Sequence, residues 1–328
     1  MFRRILSLIV CAVLFCTCAQ GCTSLASTAE EKRAVLTVGE YEVPYELYYY
    51  VSMNLRRDMP TADDKTIEAE TFEMLTEIYA VFDLAEDYGI AFDDKYIASV
   101  ADDAAKRAID ECGSKSEYKK ALEKNYMNDS VFRFLKKHER TADEILSSLM
   151  SSGKYPSTND AMRATVLSDE FVAVKQVIVL FEKSVTIGEN TYFSTGGEHT
   201  KEEALEIAET VLKKAQSGED FDSLMKEYGE SLILDEQYVC RGMWNKAEED
   251  AVFALSQGQL SAVVEGESGY SVFLAVKKNE SNIDRRIEEI TASYYEAQYN
   301  ILLEQRIAKL EVKPLEAYGS YAGKKDEN

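Results

Sequence analysis

The stretch from Val172 to Lys278 constrains the fold most, because its apolar periods change in a set order. It opens on an apolar strand candidate, Val172-Ala-Val-Lys-Gln-Val-Ile-Val-Leu180. A helical repeat follows, with Ala204, Ile207, Ala208, Val211, Leu212 and Ala215 at 3–4 spacing. Thr200 and Glu203 form a capping box at its start, and Gly218 suits its stop. Then come Phe221-Asp-Ser-Leu-Met-Lys-Glu-Tyr228, Ala251-Val-Phe-Ala-Leu-Ser-Gln-Gly258 and Leu260-Ser261. Gly269-Tyr-Ser-Val-Phe-Leu-Ala-Val276 closes the stretch as a second strand. Strands enclosing helices predict an α+β unit over 171–279.

The flanks read differently. Ala34-Val-Leu-Thr-Val38, Gly39-Glu40 and Tyr41-Glu-Val43 suit a small hairpin. Pro44 then opens a helix to about 59, since proline fits a first helical turn. Helices follow at about 64–88, 94–112, 115–125 and 129–152, broken by Gly89, Gly113, the Asn125–Asn128 turn, and Gly153 with Pro156. A last short helix fits 157–168. Beyond Asn279 the pattern predicts a helix over 282–310, with Ile287, Ile290, Tyr294, Ala297 and Ile301 as its apolar seam. That seam needs a partner, and the helical bundle is the nearest unfinished surface. The expected architecture is therefore α+β. A helical domain over 34–170 is completed by the helix within 280–312, with the 171–279 unit inserted. A polar tail, 313–328, is expected to fray.

The 328 residues, 45% of them hydrophobic, suffice for two packed cores. A net charge of −22 argues against nucleic acid, whose phosphates demand a basic surface, and against electrostatic docking on anionic lipid. The N-terminus carries Arg3-Arg4, an apolar run from Ile5 to Ala19, and Gln20-Gly21-Cys22. That is the order of a secretory signal, and the run is short for a bilayer span. Ala19-Gln-Gly-Cys22 resembles a bacterial lipobox, which implies lipidation of Cys22, residues 1–22 as the signal and 23–33 as a tether. The alternative is an ordinary signal cut near Ala26. Of six cysteines, Cys112 and Cys240 remain beyond Cys22, so two buried thiols are expected, with a Cys112–Cys240 bridge as the other possibility.

The quoted strings resemble a parvulin-type peptidyl-prolyl isomerase domain: a first strand, a long helix ending Ser217-Gly-Glu-Asp-Phe221, the Phe253-Ala-Leu…Gly258…Ser261 segment and the final Gly269-Tyr270 strand. Helices on both sides, after an opening hairpin, are similar to extracytoplasmic foldases of the PrsA and SurA kind. The resemblance implies a membrane-anchored protein that meets unfolded or secreted polypeptides, needs no cofactor, and could form a homodimer. It also implies where the site lies. The family's two histidines fall on Gln176 and Ser271, and its acidic or cysteine position near Ser231. The residues that grip the proline ring fall on Trp244 and Glu248, with Phe253 and Ser268 nearby. The glycine-rich loop is reduced to Leu234-Asp-Glu-Gln237.

Prolyl isomerisation twists an amide through a barrier of roughly 18–20 kcal/mol and makes no bond. Catalysis needs an apolar ring pocket and polar groups that favour the twisted amide. Gln176 and Ser271 can donate and accept, or can simply satisfy each other. Glu248 suits an apolar ring poorly. The expected activity is a degenerate isomerase site, and the alternative is a non-catalytic holdase or scaffold. A solute-binding lipoprotein fits less well, for want of paired α/β lobes. Tyr45, Tyr48 and Tyr49 share a helix face; Tyr48 and Tyr49 are candidate client-binding rings, with a half-buried face as the competing reading. Glu248-Glu249-Asp250 reads as solvated surface and helix start. No metal site is expected, because His138 and His199 have no ligand spacing around them.

Overall fold

A computed structural model describes residues 33–320, apart from 92, 182, 188, 189, 195, 196, 232 and 234. The signal, Cys22, the tether up to residue 32 and residues 321–328 lie outside the described residues. The chain divides into two compact units, one of Met1–Ser148 with Leu302–Asn328, the other of Leu149–Ile301.

The first unit begins with strands β1 (Ala34–Val38) and β2 (Tyr41–Pro44), paired antiparallel. Gly39 turns the hairpin at φ +57, where a Cβ would sit 2.8 Å from the Leu310 side chain. Five helices follow: α1 (Tyr45–Asp58), α2 (Asp64–Glu86), α3 (Lys95–Glu111), α4 (Lys115–Glu123) and α5 (Asp129–Ser151). The short polar residue before each of three helices accepts from its first turn: Asp63 from Thr66 N, Asp94 from Ile97 N, Ser114 from Glu117 N. One core joins hairpin and helices, through Val35, Leu47, Val51, Leu75, Tyr79 and Phe132 among others.

The described part of the tail, up to Ser320, departs from its expected fraying. Val312–Pro314 form a further strand, β9, on β1, giving the order β2-β1-β9, and Leu315 N donates to Val35 O at 2.9 Å. A 3-10 turn, Glu316–Ser320, then buries Ala317 and sets Tyr318 edge-on to Tyr48. The reason is backbone satisfaction: β1 has a free edge, and an unpaired buried edge costs several hydrogen bonds. Polar composition hid a segment that is held through its main chain.

The second unit starts with α6 (Asn159–Leu167), capped by Thr158, and β3 (Phe171–Leu180). A hairpin of β4 (Lys183–Ile187) and β5 (Asn190–Ser194) leads to α7 (Lys201–Gln216). The Thr200–Glu203 capping box forms as the sequence spacing requires. Then come α8 (Phe221–Tyr228), β6 (Gln237–Cys240), α9 (Lys246–Phe253), β7 (Val264–Glu265), β8 (Gly269–Ala275) and α10 (Glu280–Ile307). The sheet order is β6-β3-β8-β7, antiparallel throughout.

Strand alternation gives this sheet two faces. One carries Val177, Val179 and Val272, packed on Ala204, Ala208 and Val211 of α7 and Leu224 of α8. Farther along the same face, Phe171, Ala173, Tyr238 and Cys240 meet Met162 and Val166 of α6 and Ile283, Ile287, Ile290, Tyr294 and Ala297 of α10. Both chain ends do share one unit with the other inserted between them, as expected, while the seam lies in the second unit, against α6 and the sheet, which corrects its expected packing on the bundle. Sequence proximity explains it: β8 ends at Ala275, four residues before α10, so the sheet face is reached before any distant helix. Residues 302–307 of α10 belong to the first unit, as does β9. Gly242, at φ +90, makes one approach possible. A Cβ there would lie 2.4 Å from Ala297 O, and Asn300 Nδ2 donates to Gly242 O at 3.0 Å.

Candidate prolyl-peptide site

The other face of the sheet carries the candidate site residues. Register places Val174, Gln176 and Ile178 of β3 opposite Ala275, Phe273 and Ser271 of β8. On β6, Gln237 stands opposite Val174 and Val239 opposite Val172. Val174, Val239 and Phe273 form an apolar floor, with Val252 of α9 packed on it. Trp244 lies over this floor, its ring stacked on Phe273 at 5.4 Å and 25°. Phe253 packs at the margin, with the Arg241 guanidinium 4.3 Å from its ring centre.

Gln176 and Ser271 meet directly. Gln176 Nε2 donates to Ser271 Oγ at 2.9 Å, although they come from adjacent strands 95 residues apart in sequence. Ser271 is fully buried and Gln176 half-buried, so of the pair Gln176 is the one a ligand could reach. Below them Ser261 braces β8: its Oγ accepts from Phe273 N at 2.9 Å, and its N donates to Phe273 O at 2.9 Å.

Ser231 stands in the turn after α8, where its Oγ accepts from Ile233 N at 3.1 Å. Its neighbour Glu230 is what ties that turn to β3. Glu230 N donates to Ile178 O at 3.0 Å, and Glu230 Oε2 accepts from Leu180 N at 2.7 Å. Glu230 Oε1 is 3.0 Å from His199 Nε2, so His199 has a carboxylate partner that sequence spacing did not reveal. Ser268 lies in the turn before β8, and its carbonyl accepts from Phe181 N at 3.1 Å. Glu248 stands on the first turn of α9, with Oε2 accepting from Asn245 Nδ2, and its other oxygen would be 2.8 Å from a Cβ at Gly266.

Glu249 corrects the reading of Glu248-Glu249-Asp250 as a solvated run. It is 7% exposed, and its Oε1 accepts from Gly242 N at 2.7 Å and Trp244 N at 3.0 Å. A carboxylate satisfied by main-chain donors tolerates burial, and here it fixes the loop that carries Trp244. Asp250 and Lys246 remain outside, and hydrogen bonds from Lys246 and Arg241 hold the Asp250 carboxyl below its ordinary range. Glu265 on β7 is likewise held low, by Lys201.

Tyr48 is corrected as a client-binding ring. It is 7% exposed, packed edge-on to Tyr318 at 5.6 Å, with the hydroxyls 3.4 Å apart. Tyr49 is half-buried, between Tyr45 at 5.7 Å and Tyr126 at 6.2 Å. Cys112 and Cys240 are both buried and are not joined in a disulfide, and burial pushes the Cys240 thiol up to about 12. Among the described residues no group of three or more His, Cys, Asp or Glu is placed to hold a metal ion. None of the described helices is long and apolar enough to cross a membrane.

Residues 192–277 match the family model of the rotamase PPIC-type PPIASE domain, a span that includes α7 to β8 and begins after Gln176. The chain is also similar to solved foldases. PrsA from Bacillus anthracis is 17% identical over 72% of this chain and 96% of its own, with a TM-score of 0.33. PrsA from Streptococcus pneumoniae is 17% identical over 73% of this chain and 83% of its own, at 0.33. A structure from a study of the SurA-like chaperones PEB4 and Cj1289 of Campylobacter jejuni is 12% identical over 87% and 99%, at 0.28. The helix order of the second unit, the Gly269-Tyr270 strand and the family match agree, and the chain carries a PPIC-type peptidyl-prolyl isomerase domain of the parvulin kind.

Proposed function

We propose that this chain is an extracytoplasmic foldase that engages unfolded polypeptides and carries a weakened parvulin site. One observation carries the reading: the Gln176–Ser271 hydrogen bond joins the two positions where the parvulin resemblance places histidines. The pair keeps the geometry of a network while giving up its titrating groups. Twisting the X–Pro amide requires groups that bind the twisted form better than the planar one. A carboxamide and a buried hydroxyl offer fixed, neutral hydrogen bonds, which supply less charge stabilisation than imidazoles. Trp244 on Phe273 supports the reading by offering an aromatic surface for the ring side of a prolyl residue. Turnover far below that of a complete parvulin is expected.

A second reading, a holdase without turnover, is favoured by Glu248, a half-buried acidic residue where the parvulin resemblance places one that grips the proline ring. Two assays on residues 23–328 separate the readings: isomerisation of a prolyl peptide, and suppression of aggregation of an unfolded client. Substituting both Gln176 and Ser271 by alanine should remove residual isomerisation and leave suppression nearly unchanged. Brisk wild-type turnover abolished by the pair would mean a working enzyme with a substituted network. Absence of both activities would sink the foldase reading. The lipobox-like Ala19-Gln-Gly-Cys22 supports a lipid anchor on Cys22. Intact mass of membrane-extracted protein should show a diacylglyceryl adduct on a chain starting at Cys22; an unmodified chain starting later would rule it out.

A further inference from the structure

The parvulin resemblance gives Gln237 no role of its own. In sequence it is the end of a shortened loop; in the fold it is the first residue of β6, opposite Val174 and on the same sheet face as Gln176. Its Nε2 donates to Gln176 Oε1 at 2.9 Å, while Gln176 Nε2 donates to Ser271 Oγ at 2.9 Å. A relay of three neutral side chains therefore crosses β6, β3 and β8.

The consequence lies in which way the Gln176 amide faces. A carboxamide has one acceptor oxygen and two donor hydrogens. Among the described residues Gln237 engages Oε1 and Ser271 takes one Nε2 hydrogen, so the second Nε2 hydrogen is the donor left for a ligand. An X–Pro bond presents a carbonyl and no N–H, because proline lacks the amide hydrogen. Only a donor complements it; an amide oxygen in the same place would repel. Without Gln237 the carboxamide could turn over and present oxygen.

We propose that Gln237 is a positioning residue that sets the Gln176 carboxamide with its N–H toward the carbonyl of an X–Pro peptide. This rests on the prolyl-peptide reading of the site. Carboxylates of the same unit have donors of their own: Glu249 the Gly242 and Trp244 amides, Glu265 Lys201, Glu230 Leu180 N and His199, and Glu248 Asn245.

The test uses the full chain with nitrogen-15 glutamine, the Gln176 side-chain signal being assigned by its loss in Q176A. In the wild type that N–H pair should be dispersed and slow to exchange. In Q237L it should move to the solvent-exposed position and exchange at least about tenfold faster. An unchanged Gln176 signal in Q237L overturns the proposal. Emission of Trp244, the only tryptophan, checks the fold, and Q237M replaces Q237L if that emission shifts. In the functional arm, Q237L should weaken prolyl-peptide turnover or binding about fivefold to tenfold, the worth of one such hydrogen bond. Q237E, an acceptor that turns the carboxamide over, should weaken it further. Wild-type function unaltered by both variants also overturns the proposal. A wild type that neither binds nor turns over prolyl peptides defeats the site reading instead, and the side-chain signal still decides the role of Gln237.

Discussion

At the residue scale, burial decides which polar groups matter. His138 is 3% exposed on α5, edge-on to Phe82 at 5.7 Å, and burial lowers it to about 4. Its folded value is below its unfolded one, so the unfolded chain binds the proton more readily between about pH 6.5 and 4. Stability should therefore be full above that window and fall as pH drops through it. At pH 5 the loss is about 2 kcal/mol. Urea unfolding of wild type and His138→Phe at pH 7.5 and 5 should show this difference only in the wild type. Tyr48 has a role that its helix face did not reveal. Tyr48→Ser should cost about 3 kcal/mol of stability by removing a buried ring, while Tyr48→Phe should be near neutral. A Tyr48→Ser variant with wild-type stability and weak client binding would return that ring to the surface.

At the element scale, two contacts hold pieces that composition alone would leave loose. Gly242 lets the loop before α9 approach α10, and Gly258 serves only as a left-handed turn with nothing within 4 Å of its Cβ position. Gly258→Ala should cost about 1–2 kcal/mol from the left-handed backbone alone. Gly242→Ala adds a clash with Ala297 O and should cost clearly more, with a red-shift or broadening of Trp244 emission because the loop carries that ring. Equal thermal shifts for the two variants would deny the close approach. Truncation after Glu311 removes β9 and the 3-10 turn, uncovering the β1 edge and the Tyr48 ring. The expected result is a lower midpoint for the helical unit and faster amide exchange at Leu36 and Val38; unchanged exchange would make the tail an ornament on β1.

At the scale of the whole molecule, the second unit contains its own sheet, both helical covers and the seam of α10. Residues 149–301 expressed alone should unfold cooperatively, by circular dichroism and Trp244 emission together. A shorter fragment, ending at residue 279, should not, because it lacks Ile283, Ile287, Ile290 and Tyr294. What the sequence by itself determined is local or periodic: the opening hairpin, the Thr200–Glu203 cap, the alternation of β3 and β8, and through the order of these pieces the parvulin-type domain. Gln176 and Ser271 were legible too, since resemblance places them by position along two strands. Tertiary structure alone decided which partners distant segments take. The α10 seam lies on the sheet, the polar tail completes β1, Glu249 is buried on two main-chain amides, and Gln237 reaches Gln176 across β6 and β3. Periodicity reports which face of an element is apolar, within one or two turns of chain. It carries no record of what that face meets, because strand register and the need to satisfy buried main-chain groups are settled between residues far apart in sequence.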